Sequence, residues 1–477
     1  MPNTLPRIRS QAGPLLPAAL LAAFSFTLLL PSLNIGPISD DFAWLEKARL
    51  GQDMTWGQYL SQPAPFGYFR PLPLASFRLL WQAAGDHFAV YRLVLLAANS
   101  LLCLLIMLFL ARAGFSRGGA FLGAAIFAAL PGRAEALLWL CCLNELLSAL
   151  LVAGGLYLFC FGRRNLQWLA WALFWLALLS RESALCFIPL AAFLKLALKK
   201  ISWPRTAAAM VVPLACYAAT RWWWAAVAGP QASAMVLNID LNPLSMLVRG
   251  LGYLVKMLVP VKSLLELSGF DLYHQLREVL ADPSGHPVAF LLSSLATALA
   301  GALLLWTLAK GGRAVLGALL FAGLALSVYL PFSGTAERFL YLPSVGVAAA
   351  LAAALDRLKA SRRPLYLYLA LGLLSAYTVS LQNRIHRWEQ VGQLTEMFYA
   401  DLMSLVSESP TGRVYIENMP STLYGVPYLS FYTINHGWRF HNPDKSLEIY
   451  SDPAPRPGEA LGLIYNADQH RLKRNPR

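Results

Sequence analysis

Long apolar runs, separated by short polar loops, make up most of the chain as far as residue 385. About 20 apolar residues in a helix are enough to cross a bilayer. The pattern predicts eleven spans, at 13–33, 89–111, 118–132, 136–161, 166–180, 183–198, 206–226, 287–309, 314–332, 338–358 and 364–382. The segment 243–265 is also apolar, but charges and Pro260 interrupt it, so we expect an interfacial or re-entrant helix there.

The pattern changes near residue 383, and residues 386–477 contain no run long enough to span a membrane. Helical periodicity covers 388–406, and the residues 413–417 (Arg-Val-Tyr-Ile-Glu) are typical of a strand. The predicted fold is an all-α polytopic membrane bundle (1–385) of about 11–13 transmembrane helices, followed by a small C-terminal α/β domain (386–477). A domain of about 95 residues has a thin core, so we expect it to dock on the bundle.

The positions of Lys and Arg predict the orientation of the chain. With eleven spans and a cytoplasmic N-terminus, the basic connectors at 112–117, 163–164, 199–205, 310–313 and 357–363 all lie inside. The first run has no small-residue cleavage site after it, so we expect a retained span. The same topology places the long loops 34–88 and 227–286, together with the C-terminal domain, outside. We therefore predict a multi-pass protein of a bacterial-type inner membrane, with its chemistry on the periplasmic side.

The composition supports a membrane protein, because 57% of the residues are hydrophobic and 13% are charged. A soluble chain would carry about 25% charged residues. Most of the net charge of +14 belongs to the predicted inner loops, so no nucleic-acid partner is expected. The six cysteines lie in apolar runs and the seven histidines lack metal-ligand spacing, so both are predicted to be structural or surface residues.

The acidic pair Asp40-Asp41 follows the first apolar run within a few residues. Carboxylates at a membrane boundary are costly to bury and do not anchor a helix there, so the pair indicates chemistry. A carboxylate in this place can act as a general base if it reaches an acceptor hydroxyl. The alternative is that one Asp caps the helix that begins at Phe42.

Arg70 lies further along the same predicted outer loop, in the string Gly-Tyr-Phe-Arg-Pro-Leu-Pro-Leu that covers 67–74. The orientation of the chain does not require a positive charge on this face. A guanidinium held among aromatic and proline residues can bind a phosphate through a fork of donors. The alternative is a rigid turn that carries a solvated Arg.

Three predicted outer turns each hold an Arg and a Glu: Arg133 and Glu135, Arg181 and Glu182, and Glu337 and Arg338. Solvated loops would rarely repeat that combination, so we interpret the turns as one polar site at the mouth of a helix bundle. The alternative for the Arg181-Glu182 pair is that it terminates helices. Glu145 lies inside a predicted span, where a carboxylate either pairs with a base or contacts substrate.

These strings together resemble a known superfamily. Their order is an acidic pair after the first span, then Tyr-Phe-Arg-Pro-Leu (68–72), Leu-Pro-Gly-Arg-Ala-Glu-Ala (130–136), Asn-Glu-Leu-Leu (144–147), Ser-Arg-Glu-Ser (180–183) and Ala-Glu-Arg-Phe-Leu-Tyr-Leu-Pro-Ser (336–344). The segment 35–385 resembles the membrane part of GT-C glycosyltransferases. It is most similar to the O-mannosyltransferase-like proteins whose eukaryotic members carry TPR repeats, in a bacterial form without those repeats. The string Ile-Glu-Asn-Met-Pro (416–420) resembles the outer domain of bacterial relatives.

The resemblance implies an inverting glycosyltransferase that moves a sugar from a polyprenyl-phosphate donor to a hydroxyl of a protein, lipid or glycan acceptor. Membrane lipid surrounds the site, no cofactor is required, and a divalent metal at Asp40 and Asp41 is an option. On this analogy Asp40 is the catalytic base and Asp41 supports it. Arg70, Arg181 and Arg338 would bind the lipid phosphate, and Glu135, Glu182 and Glu337 would hold the sugar, the acceptor or those arginines.

The chain departs from the family pattern at two places. Eukaryotic relatives typically have His-Pro-x-His-Thr-Glu where this chain keeps only Pro131 and Glu135, and their Lys-Glu becomes Arg181-Glu182. The resemblance implies a hexosyl- or mannosyltransferase of the protein O-mannosylation type, and these two changes bear on its specificity for mannose. Two other functions remain as alternatives. A flippase of lipid-linked sugars would carry functional charges on both faces and repeated halves, and a non-catalytic scaffold would recruit partners through the C-terminal domain.

Overall fold

The structure is a computed structural model, and it describes residues 15–198, 203–228, 239–261, 287–332, 336–407, 413–424, 426–442, 447–450 and 460–475. The segment before residue 15 and most of the predicted loop 227–286 lie outside these ranges. The helices of the first half are α1 (Leu15–Leu29), α2 (Asp41–Leu50), α3 (Trp56–Ser61), α4 (Pro71–Ala84), α5 (Phe88–Arg112), α6 (Arg117–Ala129), α7 (Ala134–Leu138), α8 (Leu143–Phe161), α9 (Gln167–Ser180) and α10 (Phe187–Ala197).

The second half continues with α11 (Trp203–Ala228), α12 (Pro243–Leu258), α13 (Pro287–Leu326), α14 (Pro343–Ser361), α15 (Arg363–Ser407) and α16 (Phe431–His441). The strands are β1 (Arg413–Glu417), β2 (Thr422–Leu423), β3 (Val426–Pro427), β4 (Glu448–Tyr450), β5 (Leu461–Asn466) and β6 (Arg471–Arg474). The predicted combination of an apolar helical bundle and a small C-terminal α/β unit is confirmed.

Every predicted span contains a helix, but several of these helices are short. α9 has 14 residues and α10 has 11, fewer than the roughly 20 that a bilayer needs. Within the described ranges, five helices are long and apolar enough to cross a membrane, or six if Arg117–Ala129 and the bent segment Pro131–Leu138 form one span. The chain is therefore a multi-pass membrane protein, and the total of eleven spans stays a prediction.

The predicted span 136–161 is broken, which corrects the sequence-based boundary. Trp139 is extended, with φ −99° and ψ 118°, and a short 3-10 turn (Leu140–Cys142) separates α7 from α8. The break frees polar groups to face the acidic loop. The indole N–H of Trp139 donates to the carbonyl of Ile38 at 3.1 Å, and the backbone N–H of Cys141 donates to Asp41 at 2.7 Å.

The predicted spans 287–309 and 314–332 correspond to the two helical segments of α13, which are separated by a break at Gly312, where φ is 52° and ψ is −143°. The predicted span 364–382 does not end near the proposed domain boundary. It continues as the 45-residue helix α15, so residues 385 and 386 lie inside one helix. Between Pro364 and Ser407 the chain has no proline that would stop it. The predicted helix 388–406 is the second half of α15.

The C-terminal unit is a four-stranded sheet with the order β4-β1-β5-β6. β1 runs parallel to β4 and β5, with Val414 opposite Leu461, whereas β5 and β6 are antiparallel. The sheet packs on α15, and α16 packs on α2. Arg471 of β6 forms an ion pair with Asp401 of α15. The predicted docking of this unit on the bundle is therefore observed.

Candidate active site

A cavity of about 760 Å³ lies beside the acidic pair. Its charged lining residues are Asp40, Arg70, Arg181, Glu182, Arg221 and Arg338, and most of the remaining wall is aromatic. Five of the nine predicted site residues therefore line one cavity, although they come from positions spread over about 300 residues of sequence. Asp41, Arg133, Glu135 and Glu337 do not line it, and Arg221 was not predicted.

Asp40 reaches the cavity because the backbone before it is bent sharply. Ser39 has a φ of 51°, in the left-handed region that non-glycine residues seldom adopt, and α2 begins directly afterwards. Among the residues that the structure describes, no hydrogen bond or ion pair engages the Asp40 carboxylate. Desolvation raises the pKa of Asp40 to about 6, although Arg338 and His436 oppose that rise. Asp40 is therefore a half-buried carboxylate that remains available to a ligand.

Asp41 has a different environment from its neighbour. Its side chain is fully buried, and its two oxygens accept backbone N–H bonds from Ile38 at 3.0 Å and from Cys141 at 2.7 Å. Burial raises the pKa of Asp41 to about 7, although Arg92 and the two N–H donors oppose that rise. Asp41 thus connects the acidic loop to the break between α7 and α8. The capping alternative does not apply to Asp40, which is the N-cap residue of α2 but makes no side-chain cap bond.

Arg92 reinforces the same connection and was missed from the sequence. Its guanidinium donates to the carbonyls of Ile35 at 3.3 Å and Gly36 at 3.1 Å, and also to the carbonyl of Leu138. One buried cation therefore ties the chain before Asp40 to the end of α7. The available signal was a charge inside the predicted span 89–111, where a charge usually pairs or satisfies backbone groups.

Arg70 is held in the cavity wall, and its guanidinium has an N–H without a hydrogen-bond partner among the described residues. Its guanidinium lies 3.8 Å from the centre of the Tyr68 ring, and Nη2 is 3.5 Å from Glu182 Oε2. The residue is 7% exposed, and Nε has no hydrogen-bond partner within the described part of the chain. Arg70 also lines the cavity, so its guanidinium is placed to attract an anionic ligand there.

Two residues of α8 bind the guanidinium of Arg181 and fix its orientation. Its Nε lies 3.1 Å from Glu145 Oε1, and Nη1 donates to Asn144 Oδ1 at 3.2 Å. Glu145 also accepts the hydroxyl of Tyr329 at 3.1 Å. Of the two alternatives for a carboxylate inside a span, pairing with a base is the one observed.

Arg338, like Arg181, is held in place by a buried carboxylate. It forms an ion pair with Glu135 and lies over the rings of Trp139 and Phe339, at 5.2 and 5.4 Å from their centres. Glu135 also accepts the backbone N–H of Glu337 at 2.9 Å. Glu135 therefore orients a cavity arginine instead of lining the cavity itself.

Glu337 and Arg133 do not line the cavity and are engaged by other protein groups, and their assignment as substrate-binding residues stays a prediction. The Glu337 carboxylate is buried and lies 3.3 Å from Nη2 of Arg384 in α15. The Arg133 guanidinium is fully buried, donates to Asn99 Oδ1 at 2.7 Å and to the carbonyl of Ala128, and packs on Phe127. Arg133 points into the bundle because these acceptors satisfy it there.

Glu182 joins two arginines across the mouth of the cavity. Its two oxygens lie 3.5 Å from Arg70 and 3.4 Å from Arg221. Burial opposes its charge, but Arg70 and the other nearby arginines outweigh that effect and hold the pKa of Glu182 below its usual value. Arg221 belongs to α11, receives further support from the Tyr217 hydroxyl at 3.0 Å, and has a half-exposed side chain.

The acidic pair does not fit a divalent metal. Such ions take about six oxygen ligands, commonly from more than one carboxylate. Here the Asp41 oxygens accept backbone N–H bonds, which leaves Asp40 as the one available carboxylate of the pair. In the described ranges no group of three His, Cys, Asp or Glu residues could hold a metal ion.

No family model and no curated protein matches the chain. The chain is similar to the crystal structure of ArnT from Cupriavidus metallidurans bound to undecaprenyl phosphate, with a TM-score of 0.48, 13% identity, and coverage of 96% of this chain and 93% of that one. It is also similar to the cryo-EM structure of arabinofuranosyltransferase AftD from Mycobacteria, with a TM-score of 0.46, 15% identity, and coverage of 91% of this chain and 31% of that one.

Proposed function

We propose that the protein is an inverting glycosyltransferase of the GT-C type. It takes a sugar from a polyprenyl-phosphate donor and transfers it to a hydroxyl of a protein, lipid or glycan acceptor. One observation carries the proposal: the carboxylate of Asp40, which no described residue engages, shares a cavity with Arg70, Arg181 and Arg338. A base and a set of fixed cations are what this reaction needs.

The chemistry is a single displacement. Asp40 accepts the proton of the acceptor hydroxyl while that oxygen attacks the anomeric carbon of the sugar. The bond from this carbon to the phosphate oxygen breaks, and its electron pair leaves with the polyprenyl phosphate. Attack from the face opposite the leaving group inverts the anomeric centre. A phosphate is a stable leaving group, so the reaction requires no strong general acid.

The arginines stabilise the charge that develops on the leaving phosphate. Each one is oriented before the substrate arrives, Arg70 by Glu182, Arg181 by Glu145 and Arg338 by Glu135. Fixed donors do not need to reorganise during the reaction, which is the main source of their catalytic value. Guanidinium groups also present paired N–H donors that match the geometry of phosphate oxygens.

The proposal includes the predicted topology. The N-terminus is cytoplasmic, and the cavity and the C-terminal domain (386–477) are on the periplasmic side of a bacterial-type inner membrane. The polyprenyl chain then remains in the bilayer while its phosphate reaches the arginines. Mannose is the first sugar to test, because of the resemblance to O-mannosyltransferase-like proteins.

The test uses the full chain in nanodiscs with undecaprenyl-phosphate mannose, glucose and galactose, each with a radiolabelled sugar. An envelope extract of the source cells supplies the acceptor. We expect release of undecaprenyl phosphate and a labelled product with at least one donor, and loss of both in Asp40→Asn. Translocation of an intact donor without cleavage would contradict the proposal and favour a flippase. Full activity of Asp40→Asn would exclude Asp40 as the base.

A further inference from the structure

A second cavity, of about 580 Å³, lies between the acidic-pair helix α2 and the C-terminal helix α16. We name it the α2–α16 cavity, and its lining includes Glu46, Lys47, Phe66, Tyr432, His436 and Arg439. These residues combine two aromatic rings with one carboxylate, one imidazole and the cationic side chains of a lysine and an arginine. The reaction proposed above does not use any of them.

The α2–α16 cavity shares a wall with the cavity that holds Asp40. Phe66 and Gly67 line both. They form a turn with φ values of 65° and 77°, so Phe66 carries the strain of a left-handed backbone. The Phe66 ring lies 5.0 Å from the ring of Tyr432, centre to centre. The Phe66–Gly67 turn therefore separates the Asp40 cavity from the α2–α16 cavity, part of whose wall belongs to the C-terminal unit.

The polar side of this cavity is fixed in advance. The Glu46 carboxylate contacts His436 Nδ1 and lies 3.1 Å from Arg439 Nε. Arg49, one turn along α2, donates to the carbonyl of Phe440 at 2.5 Å and so holds the end of α16. Contacts between the two helices thus hold the side chains of Glu46, His436 and Arg439 in place. Tyr432 remains 47% exposed.

We propose that the α2–α16 cavity binds the acceptor, and that this acceptor is a saccharide. The inference rests on the proposed function and adds the class of its second substrate. Exposed aromatic faces pack against the C–H surface of a sugar ring, and a carboxylate, an imidazole and a guanidinium together match its neighbouring hydroxyls. The lining residues belong to helices and turns, so the described lining has no strand edge to which a peptide could add by β-augmentation.

The position of the cavity gives the acceptor a direct route to the base. Tyr432 packs on Phe66, and the Phe66–Gly67 turn also lines the cavity that holds Asp40, so the two sites are adjacent. A sugar held against Tyr432 would extend one hydroxyl past the Phe66–Gly67 turn toward the Asp40 carboxylate. The donor phosphate would occupy the opposite side of the first cavity, beside the arginines.

Two variants test the site. Tyr432→Ala removes an exposed ring and should leave the fold intact, whereas Glu46→Gln removes the buried carboxylate that orients His436 and Arg439. The matched control is Glu448→Gln, which removes an exposed carboxylate that pairs with Arg413 at 2.9 Å in the same C-terminal unit. The full-length protein in nanodiscs is used throughout.

The first measurement is saturation-transfer NMR with mannotriose, maltotriose and chitotriose, and it does not depend on activity. We expect signals from at least one saccharide in the wild type and in Glu448→Gln, reduced at least fivefold in Tyr432→Ala. Absence of signals with all three saccharides, or equal signals in Tyr432→Ala, would overturn the inference.

The second measurement is kinetic and uses the active donor with a saccharide acceptor. We expect Tyr432→Ala and Glu46→Gln to raise the acceptor KM about tenfold while the donor KM changes less than twofold. An unchanged acceptor KM, or a labelled product that is a protein, would overturn the saccharide assignment and leave the transferase intact. A wild-type protein that releases no undecaprenyl phosphate would instead refute the proposed function, and the NMR result would still decide whether the cavity binds saccharides.

Discussion

The backbone N–H of Cys141 donates to the Asp41 carboxylate at 2.7 Å, across 100 positions of sequence. This bond joins the loop of the acidic pair to the break between α7 and α8. It also separates the roles of two adjacent carboxylates, because Asp41 is occupied by the backbone while Asp40 faces the cavity.

Replacing Asp40 by Asn should abolish transfer without loss of stability. The amide cannot accept a proton, and a general base contributes about 10²–10⁴-fold to the rate. No described residue bonds to the Asp40 carboxylate, so the melting temperature should stay within about 2 °C of wild type. Radiolabel transfer and thermal melts of the same preparation measure both. A large fall in melting temperature would contradict the prediction that Asp40 acts in transfer and not in stabilising the fold.

Replacing Asp41 by Asn should reduce stability. Its two oxygens each accept a backbone N–H, and an amide would turn an NH₂ group toward one of those donors. An unsatisfied buried pair costs about 1–3 kcal/mol. The free energy of unfolding, measured by denaturant in detergent, should fall by that amount, with Asp40→Asn as the control. Equal free energies of unfolding for Asp41→Asn and Asp40→Asn would refute the different roles assigned to the two carboxylates.

The rate of transfer should depend on pH through Asp40. Desolvation raises the pKa of Asp40 to about 6, and only its ionised form can accept a proton. kcat/KM should therefore be constant well above pH 6 and fall about tenfold per unit below it. A pH–rate profile measures this dependence. A midpoint near pH 4, the ordinary range of an exposed carboxyl, would contradict the desolvated site.

Replacing Arg338 by Lys should weaken donor binding. Lysine keeps the charge but loses the guanidinium plane that lies over Trp139 and Phe339 and pairs with Glu135. We expect the donor KM to rise about fivefold to thirtyfold, which corresponds to about 1–2 kcal/mol. The control is Arg413→Lys, at an exposed arginine of the sheet that should leave the KM unchanged.

Replacing Gly437 by Ala should loosen the packing of α16. An added Cβ would overlap the Tyr399 hydroxyl oxygen and ring, so the ring or the helix must shift. We expect a loss of about 1–3 kcal/mol and faster proteolysis within the C-terminal unit. Gly372→Ala, in α15, is the control because a Cβ there meets nothing within 4 Å in the described structure.

The sequence predicted the cavity better than it predicted the direction of individual side chains. Arg181, Glu182 and Arg338 line the cavity or its mouth as the repeated Arg/Glu turns suggested. Arg133 belongs to a turn of the same composition but points into the bundle. Its direction depends on the Asn99 amide, an acceptor from another helix, and no local pattern reports such an acceptor.

Arg221 and Arg92 were missed for a related reason. Both lie inside predicted spans, where the average hydropathy of the window outweighs one charge. Charges in such places usually mark a partner or a cavity, and here the partners are Glu182 for Arg221 and backbone carbonyls for Arg92. Treating each isolated charge in a span as a site hypothesis would have identified both residues.

The continuity of α15 has a mechanical consequence. At about 1.5 Å per residue, its 45 residues extend about 68 Å, more than twice the roughly 30 Å hydrocarbon thickness of a bilayer. The helix carries the sheet near one end, and its Gly392 lies so near the loop before Asp40 that a Cβ added there would be 3.2 Å from the Gly36 nitrogen. One continuous helix therefore links the C-terminal sheet to the loop that leads to Asp40, so any rigid-body shift of the sheet acts on that loop through the helix backbone.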